Sequence, residues 1–76
     1  MPYMNEYFVA VACDVNGVEL ENGTSGDCIG VAIDESMVLW DGWDALYSIR
    51  VYRMSNDGDG NETAECVHEE YAKQNV

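Results

Sequence analysis

Basic side chains are scarce in this sequence, since Arg50, Arg53 and Lys73 stand against 15 aspartates and glutamates. The formal net charge at pH 7 is −12. Affinity for DNA, RNA or anionic lipid depends largely on Lys and Arg side chains that neutralise phosphates. The shortage of cations therefore argues against direct binding of nucleic acid or of a membrane surface.

Long apolar runs and paired cysteine motifs are also missing. No segment approaches the roughly 20 apolar residues that a membrane-spanning helix needs, and the N-terminal segment has no basic leader. The three cysteines, Cys13, Cys28 and Cys66, are an odd number without C-x-x-C or metal-ligand spacing. We therefore expect reduced thiols and a cytoplasmic location, without targeting signal or anchor.

Apolar residues nevertheless make up 47% of the chain and include two tryptophans and five tyrosines. An acidic tail that stays disordered carries far fewer such residues. A chain of 76 residues is long enough for one small core. The composition predicts a single folded domain, residues 1–76.

Two segments have the composition of β-strands. Residues 6–15 (EYFVAVACDV) are apolar on both faces, which predicts a central strand, and residues 47–54 (YSIRVYRM) alternate as a second strand. Residues 18–21 are a candidate short edge strand, followed by a loop (NGTSGD) whose glycines would supply positive φ angles. For residues 62–76 we expect a short strand over 64–67 and then a helical turn, with a helix throughout as the alternative.

Helical spacing prevails over residues 27–41, where one side collects Ile29, Ala32, Ile33, Leu39 and Trp40. Ser25 or Thr24 would cap this helix, and Asp27 would lie in its first turn. The expected fold class is therefore α+β: an antiparallel sheet of about three strands with one amphipathic helix packed across it, in the order β-α-β-β.

Acidic residues recur every seven positions on the other side of the predicted helix, at Asp27, Asp34 and Asp41. On a continuous helix, consecutive members stand about 10 Å apart along the axis. Such a ridge of carboxylates is our candidate partner-binding surface. Nearby acidic and aromatic side chains extend it, namely Glu35, Asp44 and Trp43. Trp43 would be a surface anchor while Trp40 seals the core, with both in the core as the alternative.

No set of residues predicts catalysis or a bound cofactor. Asp57, Asp59 and Gly60 match part of a calcium loop, but Cys66 stands where that loop requires a glutamate, so a hairpin turn is the better interpretation. Cys66 and His68 would share a strand face, yet the acidic surroundings should raise the pKa of a thiol rather than activate it. We expect a protein that is not an enzyme and has no catalytic residue, cofactor or metal.

In size, acidity and lack of catalytic motifs, the whole chain resembles the small acidic proteins that phages make against host defence, including anti-CRISPR and anti-restriction DNA mimics. The resemblance is one of composition; no motif within the β-strand or helix segments carries it. It implies a binding inhibitor in the host cytoplasm that occupies a basic nucleic-acid-binding surface. The partner would be a protein complex such as a CRISPR effector.

Two other interpretations explain the same acidity. A structural or oligomeric interaction module would use an edge strand and exposed aromatic residues. A small protein of a halophile would be acidic whatever its function, although three cysteines and four methionines are not a choice that salt demands. The sequence leaves the oligomeric state open.

Overall fold

The computed structural model describes residues 5–72. Along the chain they form β1 (Asn5–Cys13), β2 (Glu19–Gly26), α1 (Ile29–Leu39), β3 (Ser48–Asn56) and β4 (Glu62–Tyr71). The α+β class is confirmed. The expected order lacked one strand, since two strands precede the helix and two follow it.

The strands form one antiparallel sheet with the order β2-β1-β3-β4. The apolar segment that predicted a central strand is β1, which pairs with β2 on one side and β3 on the other. The sheet therefore has four strands rather than about three. Its additional strand is β2, which occupies residues that we expected to be mostly loop.

The core lies between α1 and one face of the two central strands. Ala10 and Ala12 of β1 and Ile49 and Val51 of β3 are fully or almost fully buried there. Small side chains on β1 let the helix approach the sheet closely, while branched side chains on β3 fill the remaining volume. Residues from α1 and the following turn complete this core, namely Ala32, Trp40 and Leu46.

The helix is shorter than its sequence pattern predicted. Cys28 is its N-cap residue, so Thr24 and Ser25 lie in β2 instead of capping it, and no acidic residue lies in its first turn. The helix ends at Leu39, with Trp40 as its C-cap residue. Leu39, which we expected in the core, is 64% exposed.

A very close approach joins β2 to α1. The Ser36 hydroxyl is buried and accepts a hydrogen bond of 2.8 Å from the Thr24 amide. A Cβ atom at Gly23 would lie 2.3 Å from Ser36 Oγ and 2.7 Å from Trp40 Cζ2. The expectation that glycines here supply positive φ is wrong for Gly23 and Gly26, because neither has a positive φ. These glycines are needed for space.

The C-terminal strand β4 is longer than expected and forms one edge of the sheet. It extends to Tyr71 without a helical turn, because each residue of β3 offers it a backbone partner. Only residues 73–76 of the predicted turn lie outside the described part. Nearly all side chains of β4 are exposed, so this strand is held by backbone pairing more than by a core.

We predict that Gly23→Ala destabilises the protein by about 1–3 kcal/mol, the usual cost of overpacking a close contact. The matched control is Gly30→Ala in α1, where an added Cβ meets nothing within 4 Å. That control should gain about 0.5–1 kcal/mol from helix propensity. Urea unfolding followed by circular dichroism measures both changes. Equal stability of the two variants would contradict the close approach of β2 to α1.

Candidate functional site

The predicted acidic residues lie on and around α1, but they do not form a continuous helical ridge. Asp34 and Glu35 are exposed on the helix. Asp27 immediately precedes the N-cap, while Asp41 and Asp44 lie in the turn after the helix. The spacing of about 10 Å along one helix axis is therefore wrong for this set, because only Asp34 of its three ridge members is helical.

Both described arginines are on β3, where they pair with carboxylates of the neighbouring strands. The Arg50 guanidinium lies 3.3 Å from Glu19 of β2 and 3.3 Å from Glu69 of β4. Arg53 pairs with Glu65 of β4. The pKa of Arg50 is raised, mainly by its hydrogen bond to Glu69 and further by that to Glu19. Both arginines are thus paired with carboxylates of the sheet.

The acidic residues around α1 receive none of this compensation. Within residues 5–72, neither arginine pairs with Asp27, Asp34, Glu35 or Asp41. All four are exposed. Among residues 5–72, these four carboxylates therefore have no arginine partner, whereas the strands of the sheet neutralise part of their own negative charge.

Apolar side chains lie among these carboxylates on the outer face of α1. Val38 is 78% exposed and Leu39 is 64% exposed, and Val31 is also exposed. Val31, Asp34, Glu35 and Val38 follow the i, i+3, i+4, i+7 spacing of one helix face. The sequence contained this signal, but we attributed Leu39 to the core and left the exposed valines unassigned. We call Val31, Asp34, Glu35, Val38 and Leu39 the outer helix face.

The two tryptophans differ in burial, and Trp43 as a surface anchor stays a prediction. Trp40 is 3% exposed, and its indole N–H donates a hydrogen bond of 2.9 Å to Glu21. Trp43 is half-buried and packs beside it, with 6.4 Å between the ring centroids. Trp43 and Asp44 line a shallow depression of about 220 Å³ next to the end of α1.

The cysteine and histidine of β4 are not brought together as expected. A bulge in β4 pairs Cys66 with Tyr52 and His68 with Val51, so the two side chains belong to opposite faces of the sheet. Cys66 and Cys28 are exposed, and only Cys13 is buried. Burial raises the pKa of the Cys13 thiol, which keeps it protonated at neutral pH.

The acidic turn between β3 and β4 is a hairpin loop, as expected. Asp57 Oδ1 accepts hydrogen bonds from the amides of Asp59 (2.8 Å) and Asn61 (3.3 Å), and Asp57 Oδ2 accepts one of 3.0 Å from the Asn61 side chain. These bonds, that from the Asn61 side chain first, lower the pKa of Asp57. Within the part of the chain that the structure describes, no group of three or more potential ligands is arranged to hold a metal ion.

Comparison with known proteins yields no relative: no family model, curated protein or solved structure matches this chain. Among residues 5–72, no helix has the length and apolar character to cross a membrane.

We predict that Asp57→Asn lowers the melting temperature at pH 7 relative to Asp59→Asn. Both variants remove one negative charge from the same turn, but only Asp57 accepts the hydrogen bonds that close it. Because the folded-state pKa of Asp57 lies below its ordinary value of 3.8, its charge stabilises the fold above that pH. The stabilisation disappears as the pH falls through the folded-state pKa.

Thermal unfolding of both variants from pH 7 to pH 2 measures this dependence. The difference between them should be constant above about pH 5 and vanish at the acidic end. A difference that does not change with pH would show that the Asp57 charge is not responsible.

Proposed function

We propose that this protein is a non-enzymatic inhibitor of the kind phages direct against host defence. It would block a basic nucleic-acid-binding surface, such as that of a CRISPR effector, by presenting carboxylates where DNA phosphates would lie. The observation that supports this most directly is the unequal charge compensation. Both described arginines are paired within the sheet, while four acidic residues on and next to α1 are exposed and unpaired with either arginine, namely Asp27, Asp34, Glu35 and Asp41.

The physical advantage of such a surface is a fast and selective encounter. An exposed negative field accelerates association with a basic partner and disfavours acidic ones. Since Asp27, Asp34, Glu35 and Asp41 have no arginine partner in the described residues, binding would not require breaking an ion pair with Arg50 or Arg53. Each new contact with a partner's Lys or Arg would add to affinity directly.

The apolar part of the outer helix face gives this interaction a second component. Val38 and Leu39 expose most of their surface beside Asp34 and Glu35. Trp43 and Asp44 extend the surface beyond the end of α1. Burial of such side chains at the centre of an interface, with charges at the rim, is typical of specific protein complexes. Binding would therefore retain part of its strength at high salt.

The same exposed valine and leucine favour a second candidate, an acidic module that associates with copies of itself. Association through Val38 and Leu39 would depend on protein concentration and would be strengthened by salt, because salt screens the repulsion between carboxylates. Light scattering at increasing concentration and ionic strength distinguishes this candidate from the inhibitor, which requires a basic partner.

We predict that expression of the chain protects a targeted plasmid in at least one bacterial strain from a panel with active CRISPR or restriction systems. Transformation efficiency is the measurement, and a rise of about tenfold or more is expected. Asp34→Lys should remove most of the protection, because reversal of an interfacial charge weakens binding by roughly tenfold or more.

The matched control is Asp59→Lys, which makes the same charge change in the β3–β4 turn, away from α1. It should protect like the unmodified chain. Equal loss in both variants would indicate that net charge alone matters, and the absence of protection in every strain would contradict the proposed function.

A further inference from the structure

A depression of about 320 Å³ lies on the sheet face that α1 does not cover. It spans β1, β2 and β3 at the middle of the sheet. Apolar and aromatic side chains with one carboxylate provide most of its lining: Tyr7, Val9, Val11, Tyr52, Met54 and Glu19. It shares no residue with the acidic surface around α1.

The alternation of the central strands explains why this depression is apolar. Ala10 and Ala12 face the helix, so Val9 and Val11 point to the opposite side of the sheet. Across the strand pair, Val9 lies opposite Tyr52 and Tyr7 opposite Met54. An uncovered face of an antiparallel sheet is ordinarily polar. The apolar side chains at the middle of this face make it a candidate ligand site.

Hydrogen bonds to carboxylates hold the two tyrosines that line the depression. The Tyr7 hydroxyl donates to Glu62 at 2.9 Å, and the Tyr52 hydroxyl donates to Glu19. These bonds raise the pKa of both phenols above the ordinary value of 10.0. The tyrosines are therefore neutral at pH 7, and both rings line the depression.

The charges around the depression favour a cation. Glu19 contributes to its lining, and Glu62 and Glu69 are bound to its neighbours Tyr7 and Arg50. Arg50 is the one described cation in this group, and two of these three carboxylates already hold it. The three carboxylates carry more negative charge than Arg50 neutralises, and this excess lies near the two neutral tyrosine rings.

We propose that this depression binds an organic ammonium group with an apolar body, such as a methylated ammonium. Aromatic rings attract such cations through their π-electrons, the apolar floor accepts their methyl groups, and the carboxylates supply opposite charge. A free small molecule and a methylated lysine side chain offer the same chemistry. This site does not rest on the proposed function, since it uses the opposite side of the molecule.

The test is an NMR titration of the isotope-labelled full chain with choline and, separately, with 3,3-dimethyl-1-butanol. The second compound has nearly the same shape without the charge. We expect choline to shift the amide signals of Val9, Tyr52 and Met54 with a dissociation constant of roughly millimolar order. The neutral compound should bind about tenfold more weakly or worse. Equal binding of the two, or no shifts with choline, would overturn the proposal.

Two substitutions at one position separate the ring from its hydroxyl. Tyr52→Phe keeps the ring and loses only the bond to Glu19, so choline binding should stay within about threefold. Tyr52→Leu removes the ring and should abolish the shifts. Val38→Ser on the outer helix face is the control and should bind choline normally. If Tyr52→Leu does not fold, Tyr7→Leu provides the same comparison, and unchanged choline binding without the ring would contradict the site.

A final pair of titrations identifies the source of the ammonium group. A short peptide containing trimethyllysine is compared with choline at the same ionic strength. Tighter binding of the peptide would support a protein side chain as the ligand, whereas tighter binding of choline would support a small molecule. Failure of both would overturn the proposal and would leave the proposed function of the helix side unaffected.

Discussion

The contact between Ser36 of α1 and the backbone of β2 is the constraint on which the rest of the structure depends. The helix can lie this close only because Gly23 has no side chain, and β2 can lie under the helix only because Ser36 satisfies the Thr24 amide. A buried amide without a partner would cost about 1–3 kcal/mol. Trp40 is buried beside the same glycine, and its indole N–H donates a hydrogen bond to Glu21 of β2, which holds the end of the helix on that strand. One polar side chain thus positions both the core and the outer helix face.

The distribution of charge follows from the strand order. Because β3 is a central strand, its arginines can reach carboxylates of strands on either side of it. Arg50 contacts β2, beyond β1, and also β4, while Arg53 contacts β4. These pairs are exposed and each contributes little to stability on its own. Their larger effect is to offset repulsion between strands that carry many glutamates. Neither arginine pairs with Asp34 or Glu35 of the helix.

Much of the fold could be predicted from local pattern, and the errors have physical causes. β1 and β3 were predictable because their runs of apolar, β-branched and aromatic residues are typical of strands inside a sheet. β2 was not, since ELENGTSG lacks the apolar alternation of a strand, and its pairing with β1 and close contact with α1 decide its conformation. In the helix, the polar residue Ser36 lies at the centre of the buried face, so the pattern of apolar residues alone placed that centre wrongly. Leu39, three residues after Ser36, lies about 60° from it on the helix and is the last residue of α1, where it is 64% exposed.

The candidate surface was predictable in its residues but not in its pairing. Acidic residues such as Asp34 and Glu35 are exposed almost wherever they occur, so their position on the surface follows from their type. Which carboxylates meet an arginine depends on β2 and β4, whose extents were not predicted. The opposite, tyrosine-lined depression was missed for a related reason. It requires side chains from β1, β2 and β3 in one register, which no local pattern contains.

β4 forms one edge of the sheet, and its glutamates hinder the pairing of that edge with another copy. An unpaired strand edge can template the addition of the same strand from another copy. In β4 the residues Glu62, Glu65, Glu69 and Glu70 would then be brought near those of the second copy, and like charges placed opposite each other resist such pairing. The glutamates of β4 therefore act against edge-to-edge assembly of the sheet, a role separate from any role of the helix side.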